Sequence, residues 1–70
     1  MSDIGEIIKA TRKRKGMKQK NLAKEVLCNS SYLAAIENGW GDKEPSIKFL
    51  KLLAKAMNCN LIITFEDVEL

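Results

Sequence analysis

Residues 19–39, QKNLAKEVLCNSSYLAAIENG, carry two short helical patterns with a few residues between them. In the first, Leu22, Ala23 and Val26 fall on one helix face. In the second, Leu33 and Ile36 point inward, Asn29 stands at the capping position, and Gly39 is a stop. The outer face of this second helix is Ser30, Ser31, Ala34, Ala35 and Asn38, without a charge. A solvated helix face ordinarily carries charged and polar residues. Either this face is plain surface, or it is shaped to enter something narrow.

Outward from that stretch, glycine and asparagine divide the chain into further helices. Ile4, Ile7, Ile8 and Thr11 repeat at helical spacing, which predicts a helix over residues 2–15 ended by Gly16. The middle pair spans 18–26 and 30–38. The loop GWGDKEP, residues 39–45, holds two glycines and the only proline. Beyond it, Ile47, Leu50, Leu53, Ala54 and Met57 predict a strongly apolar-faced helix with Ser46 as its cap. The period then changes. In NLIITFEDV, residues 60–68, Leu61, Ile63 and Phe65 alternate with Ile62 and Thr64, the pattern of a strand. A lone strand leaves its N–H and C=O rows unpaired. It therefore pairs with a second copy of the chain or lies as an extended arm along the helices. The expectation is an all-α domain of four to five helices over residues 1–60, followed by a C-terminal β-strand arm over 61–70. In that arm Leu61, Ile62, Ile63, Thr64 and Phe65 are the candidate dimerisation residues.

Composition removes several classes of function. Seventy residues make one domain, and 46% hydrophobic with 30% charged residues is a globular balance. No apolar run approaches the roughly 20 residues of a membrane span, and MSDIGEII lacks the regions of a signal peptide. A cytoplasmic location is the expectation. Cys28 and Cys59 are the only cysteines, expected to be reduced, and histidine is absent. Without histidine there is no ordinary zinc set and no base to activate Ser30 or Cys28, and no glycine-rich phosphate loop is present. Neither an enzyme nor a metal or cofactor protein is expected.

Charge is unevenly placed. Of 12 basic residues, eight lie between Lys9 and Lys24, densest in RKRKGMKQK, residues 12–20. The acidic residues Glu66, Asp67 and Glu69 gather at the other end. Such a basic patch fits a nucleic-acid backbone. It fits equally the solvated end of a helix, where Lys and Arg favour the last turn before Gly16.

The two central helices decide between these readings. A small residue (Ala23) at the fifth position of the first, a tight turn, and inward residues three apart in the second form a helix-turn-helix arrangement. Leu22, Val26, Cys28, Leu33 and Ile36 are the apolar positions that fuse the two helices. Over residues 4 to about 60 the chain resembles the phage repressor and Cro family, with a lambda-repressor-like fold. The resemblance rests on the Arg12 position, GMKQKNLA, IENG, Pro45 and LLAKAMN, in this order and spacing. It implies double-stranded DNA as partner, with Ser30, Ser31, Ala35 and Tyr32 at base-reading positions. It places Gln19, Lys18, Asn29, Asn38, Lys13, Lys15 and Lys43 at phosphate, has the Gln19 amide also brace the second of these helices, and makes Arg12 and Glu37 a structural ion pair. Two departures stand out. Leu27 occupies the turn position usually filled by glycine, and Lys18 replaces the usual Ser or Thr cap. Trp40 has two readings, covering the core or leaning on DNA. The function implied is a small homodimeric transcriptional repressor. The alternative is an antitoxin of the same fold, which represses its own operon and grips a toxin partner.

Overall fold

The computed structural model describes residues 4–41 and 44–65. Four helices account for the ordered elements: α1 (Ile4–Arg14), α2 (Gln19–Glu25), α3 (Ser30–Asn38) and α4 (Ile47–Ala56). In α1 the buried residues are Gly5, Ile8 and Arg12, three and four apart, and this stripe packs on α3. Glu6 in its first turn and Arg12, Lys13 and Arg14 in its last suit the helix dipole. Leu22 of α2, Leu33 of α3 and Leu53 of α4 are at most 1% exposed and meet in the centre, joined by Ile8, Ala23, Val26, Ile36 and Met57. Each helix thus gives one apolar stripe to a single core, and none could bury that stripe alone.

All four helices stop in the same way. A residue in the left-handed region follows the helix, and the next N–H reaches back to a carbonyl five residues earlier. Met17 donates to Arg12, Cys28 to Ala23, Trp40 to Ala35 and Cys59 to Ala54, over 2.8–3.0 Å. The left-handed residues are Gly16 (φ 69°), Leu27 (φ 58°), Gly39 (φ 68°) and Asn58 (φ 57°). Glycine and asparagine accept this backbone readily, whereas an L side chain such as Leu crowds its own carbonyl there. The glycine-free turn at Leu27 therefore closes with ordinary helix-turn-helix geometry, at the expense of local strain.

Starts are less uniform. Ser46 caps α4 by accepting from the Phe49 N–H at 3.1 Å. Asn29 makes no such bond at the start of α3, contrary to expectation, and Lys18 makes none at α2. Asn29 has the extended backbone of a cap, and its carbonyl accepts from Leu33, but its amide is left facing solvent.

The C-terminal β-strand arm is not present. Among the described residues there is no strand, and residues 61–65 follow α4 as irregular chain. Leu61 is half-buried, while Ile62, Ile63, Thr64 and Phe65 are exposed. Alternating side chains fit a pleated surface, but a strand exists only when a neighbour completes its ladder, and the chain supplies none. The all-α domain stands, with four helices and without the arm. Lys43 and the acidic Glu66, Asp67 and Glu69 lie outside the described residues, as does the expected helix start at Ser2.

Two substitutions test this packing by thermal unfolding. Leu27→Gly should stabilise the domain by about 1 kcal/mol, because it relieves the left-handed strain and removes a side chain with no core contact. Gly5→Ala should destabilise it by about 1–3 kcal/mol. A Cβ at Gly5 would strike the carbonyl oxygens of Ile36 and Glu37, both backbone atoms that cannot swing aside.

Candidate nucleic-acid interface

The orientation of α3 is set from its buried side. Arg12 (8% exposed) donates from Nε to Oε2 of Glu37 at 2.8 Å and from Nη2 to Oε1 at 3.0 Å. Its third nitrogen, Nη1, donates to the Met17 carbonyl at 2.9 Å. Gln19 at the start of α2 donates its amide to Oε1 of Glu37 at 3.1 Å. Glu37 is 2% exposed, so both carboxylate oxygens are taken up inside the protein. Four residues thus tie together the end of α1, the turn after it, the start of α2 and the end of α3. Among the described residues no buried side-chain nitrogen or oxygen lacks a partner. The Gln19 amide, expected at phosphate, spends one donor on this brace.

With Leu33, Ile36 and Glu37 held inward, α3 turns its other side to solvent. Ser30, Ser31 and Asn38 are exposed, and Ala34 and Ala35 are half-buried between them. The Asn38 amide donates to the Ala34 carbonyl at 2.8 Å, which lays it along its own helix. Tyr32 departs from the strip. Its ring packs edge-on against Phe49 of α4, 5.6 Å between centroids, and it belongs to the rim of the core. Ser30, Ser31 and Ala35 therefore share the outer strip, and Tyr32 lies beside it.

Basic side chains are concentrated on the surface of α1 and α2. Lys13, Arg14, Lys15, Lys18, Lys20 and Lys24 are all exposed. Lys13 and Asn38 line one hollow of about 380 Å³ between α1 and the end of α3, together with Lys9. Lys15 points elsewhere, with its ammonium 3.4 Å from the Asn58 carbonyl at the end of α4. Trp40, directly after α3, is 62% exposed and does not cover the core.

Cys28 and Cys59 are free thiols, both packed against the core. Burial pushes the Cys28 thiol up from its ordinary value, so it stays protonated near neutral pH. Among the described residues no three His, Cys, Asp or Glu side chains gather as a metal set. No helix there is long and apolar enough to cross a membrane.

Gly5 is the residue whose role the sequence reading missed. A glycine inside an otherwise apolar helical repeat signals close backbone approach, and here it lets α1 meet the last carbonyls of α3. The inward turn of Tyr32 carries no comparable mark in sequence, whereas the donation from Gln19 to Glu37 is the brace of α3 that the family resemblance implied.

A helix-turn-helix family model matches residues 8–63. The chain is similar to the HTH-type transcriptional regulator SlrR of Bacillus subtilis (strain 168), 40% identical over 63 residues, covering 90% of this chain and 41% of that protein. It is also similar to the competence pilus inhibition repressor of Acinetobacter baylyi, 39% identical over 59 residues, covering 84% of this chain and 52% of the repressor. The chain thus spans about half the length of the curated relatives it matches. Among solved structures, the wild-type restriction-modification controller protein C.Esp1396I superposes with a TM-score of 0.71 at 30% identity, over 80% of this chain and 69% of that one. A tyrosine-to-phenylalanine mutant of that controller gives 0.72 at 26% identity, over 86% and 80%.

The brace can be measured by denaturant unfolding. Arg12→Ala and Glu37→Ala should each lose about 3–5 kcal/mol, since each strands a buried charge, and the double mutant should lose less than their sum. Gln19→Ala should cost about 1 kcal/mol, one hydrogen bond. Additive losses for Arg12 and Glu37 would contradict the network.

Proposed function

The chain belongs to the helix-turn-helix family, and on that premise we propose that it binds duplex DNA as a transcriptional repressor, with α3 in the major groove. The observation that carries this reading is the outer strip of α3, which is small and neutral, with Lys9 and Lys13 beside its end at Asn38. The major groove admits a helix, and short side chains allow that helix to sit deeply. Ser30 and Ser31 then offer hydroxyls to base edges, and the Ala35 methyl can meet a thymine methyl. Lys13, Lys18, Asn29 and Asn38, all exposed, are the residues proposed to hold phosphates at the rim, with Lys15 a poorer candidate because it leans towards α4. Gln19 acts chiefly by bracing Glu37. The protein is a binding module rather than an enzyme, and it works in the cytoplasm.

A homodimer fits this role, because paired half-sites one helical turn apart are the usual target of such motifs. With no strand to pair, apolar side chains are the means of association. Ile4, Ile7, Leu50, Met57 and Leu61 line an apolar groove of about 110 Å³ between α1 and α4. Ile4 and Ile7 in its lining are 36% and 52% exposed, apolar side chains better covered by a second copy than by water. An antitoxin would read DNA in the same way and differ in placing a toxin on this surface.

Binding-site selection from random duplexes, followed by titration at several salt concentrations, tests the reading. Log affinity should fall linearly with log salt, by about 0.9 per phosphate neutralised. Reversing Lys13 and Lys18 to Glu should weaken binding to all sequences alike. Bulky replacements at Ser31 or Ala35 should change the selected bases, each contact being worth about 1–3 kcal/mol of discrimination. A protein that selects no sequence, or whose α3 variants all select the same one, does not place α3 in the groove.

A further inference from the structure

The turn between α2 and α3 holds Leu27 at φ 58° with 92% of its surface exposed. Glycine would relieve the backbone, and a polar residue would suit the exposure; Leu does neither. The other left-handed positions among the described residues are filled by glycines and Asn58, which accept that backbone. Next to Leu27, Cys28 turns inward, its N–H donating to the Ala23 carbonyl at 2.9 Å and its side chain packed on the core. The turn therefore sends Cys28 in and Leu27 out, just before the chain enters α3 through the exposed Asn29, Ser30 and Ser31. Strain kept at an exposed apolar residue beside a candidate binding face points to a role in binding.

We propose that Leu27 is a specificity-determining residue whose isobutyl group meets a thymine methyl in the groove that α3 reads. The inference rests on the duplex-binding reading above. In the major groove the C5-methyl of thymine is the apolar group that a base pair presents. Its partner has to be apolar. Ala35 offers one methyl within the strip, the Ser30 and Ser31 hydroxyls are polar, and Leu27 offers a larger, protruding isobutyl group in the turn before α3. The exposed charges between Lys18 and Leu27 are Lys18, Lys20 and Lys24 against Glu25, a net positive balance on this segment that suits a polyanion better than an apolar protein surface.

The test uses the duplex that the parent protein selects from a random pool, with each thymine replaced singly by uracil, which removes only the methyl. Parent affinity should drop about fourfold at one thymine per half-site, the worth of one buried methyl group. In Leu27→Gly and Leu27→Asn, both of which tolerate the left-handed turn, thymine and uracil should bind alike at that position. The other thymines should behave as in the parent. Identical thymine–uracil profiles for parent and variants overturn the proposal, and so does a parent indifferent to every methyl. In both of those outcomes duplex binding stands. A parent that selects no duplex at all overturns the duplex-binding reading, and this one with it.

Discussion

A buried carboxylate governs this fold. Glu37 sits at the far end of α3 with almost no access to water, and an unpaired charge there would be prohibitively unfavourable. Its two oxygens demand donors in fixed directions, and Arg12 and Gln19 supply them from two other elements. A pair of apolar side chains could fill the same volume, but would leave α3 freer to rotate about its axis. The bidentate guanidinium leaves little such freedom. The rotation of α3 decides which residues face outward, so the neutral strip owes its position to a contact on the opposite side of the helix. Gly5 completes the arrangement by letting α1 close on the α3 carbonyls.

Around that brace the chain is assembled from repeated simple parts. Each helix is short, gives up one apolar stripe, and ends in a left-handed residue with a backward hydrogen bond. The stops use the peptide backbone alone, so side chains around them are free for other purposes. At Gly16, Gly39 and Asn58 the residue suits the stop. At Leu27 the stop persists although the residue does not suit it, which shows how strongly the packing of Val26 and Cys28 on either side dictates the path.

Much of this could be read from the amino acids. The apolar spacing of Ile4 to Thr11 and of Ile47 to Met57 located α1 and α4, because a helix buried on one side must repeat near 3.6 residues. Gly16 and Gly39 marked the stops of α1 and α3, and the small residues of α3 were visible as an uncharged face. The Arg12–Glu37 pair, 25 residues apart, was legible only through the family resemblance, and the readings that failed depend on partners that local pattern does not show. Residues 61–65 alternate like a strand, yet alternation describes one chain, and a ladder requires two. Asn29 has the chemistry of a cap but turns its amide to solvent. Tyr32 was placed on the outer surface, and the fold turned it towards Phe49. Nothing local distinguishes an outward tyrosine from one that finds a partner across the core.

The brevity of the helices also bears on how long the molecule lasts. With seven residues in α2 and nine in α3, both lie under the 12–15 at which an isolated helix becomes even marginal in water. Neither persists once its neighbours come apart, so α3 exists only inside the assembled domain and no half-open form retains its shape. Unfolding is then all-or-none, as in most small domains. The same two-state balance sets how many molecules are competent and how many are open to proteases at any moment. Competence and turnover are thereby coupled, and a substitution anywhere in the core adjusts both together.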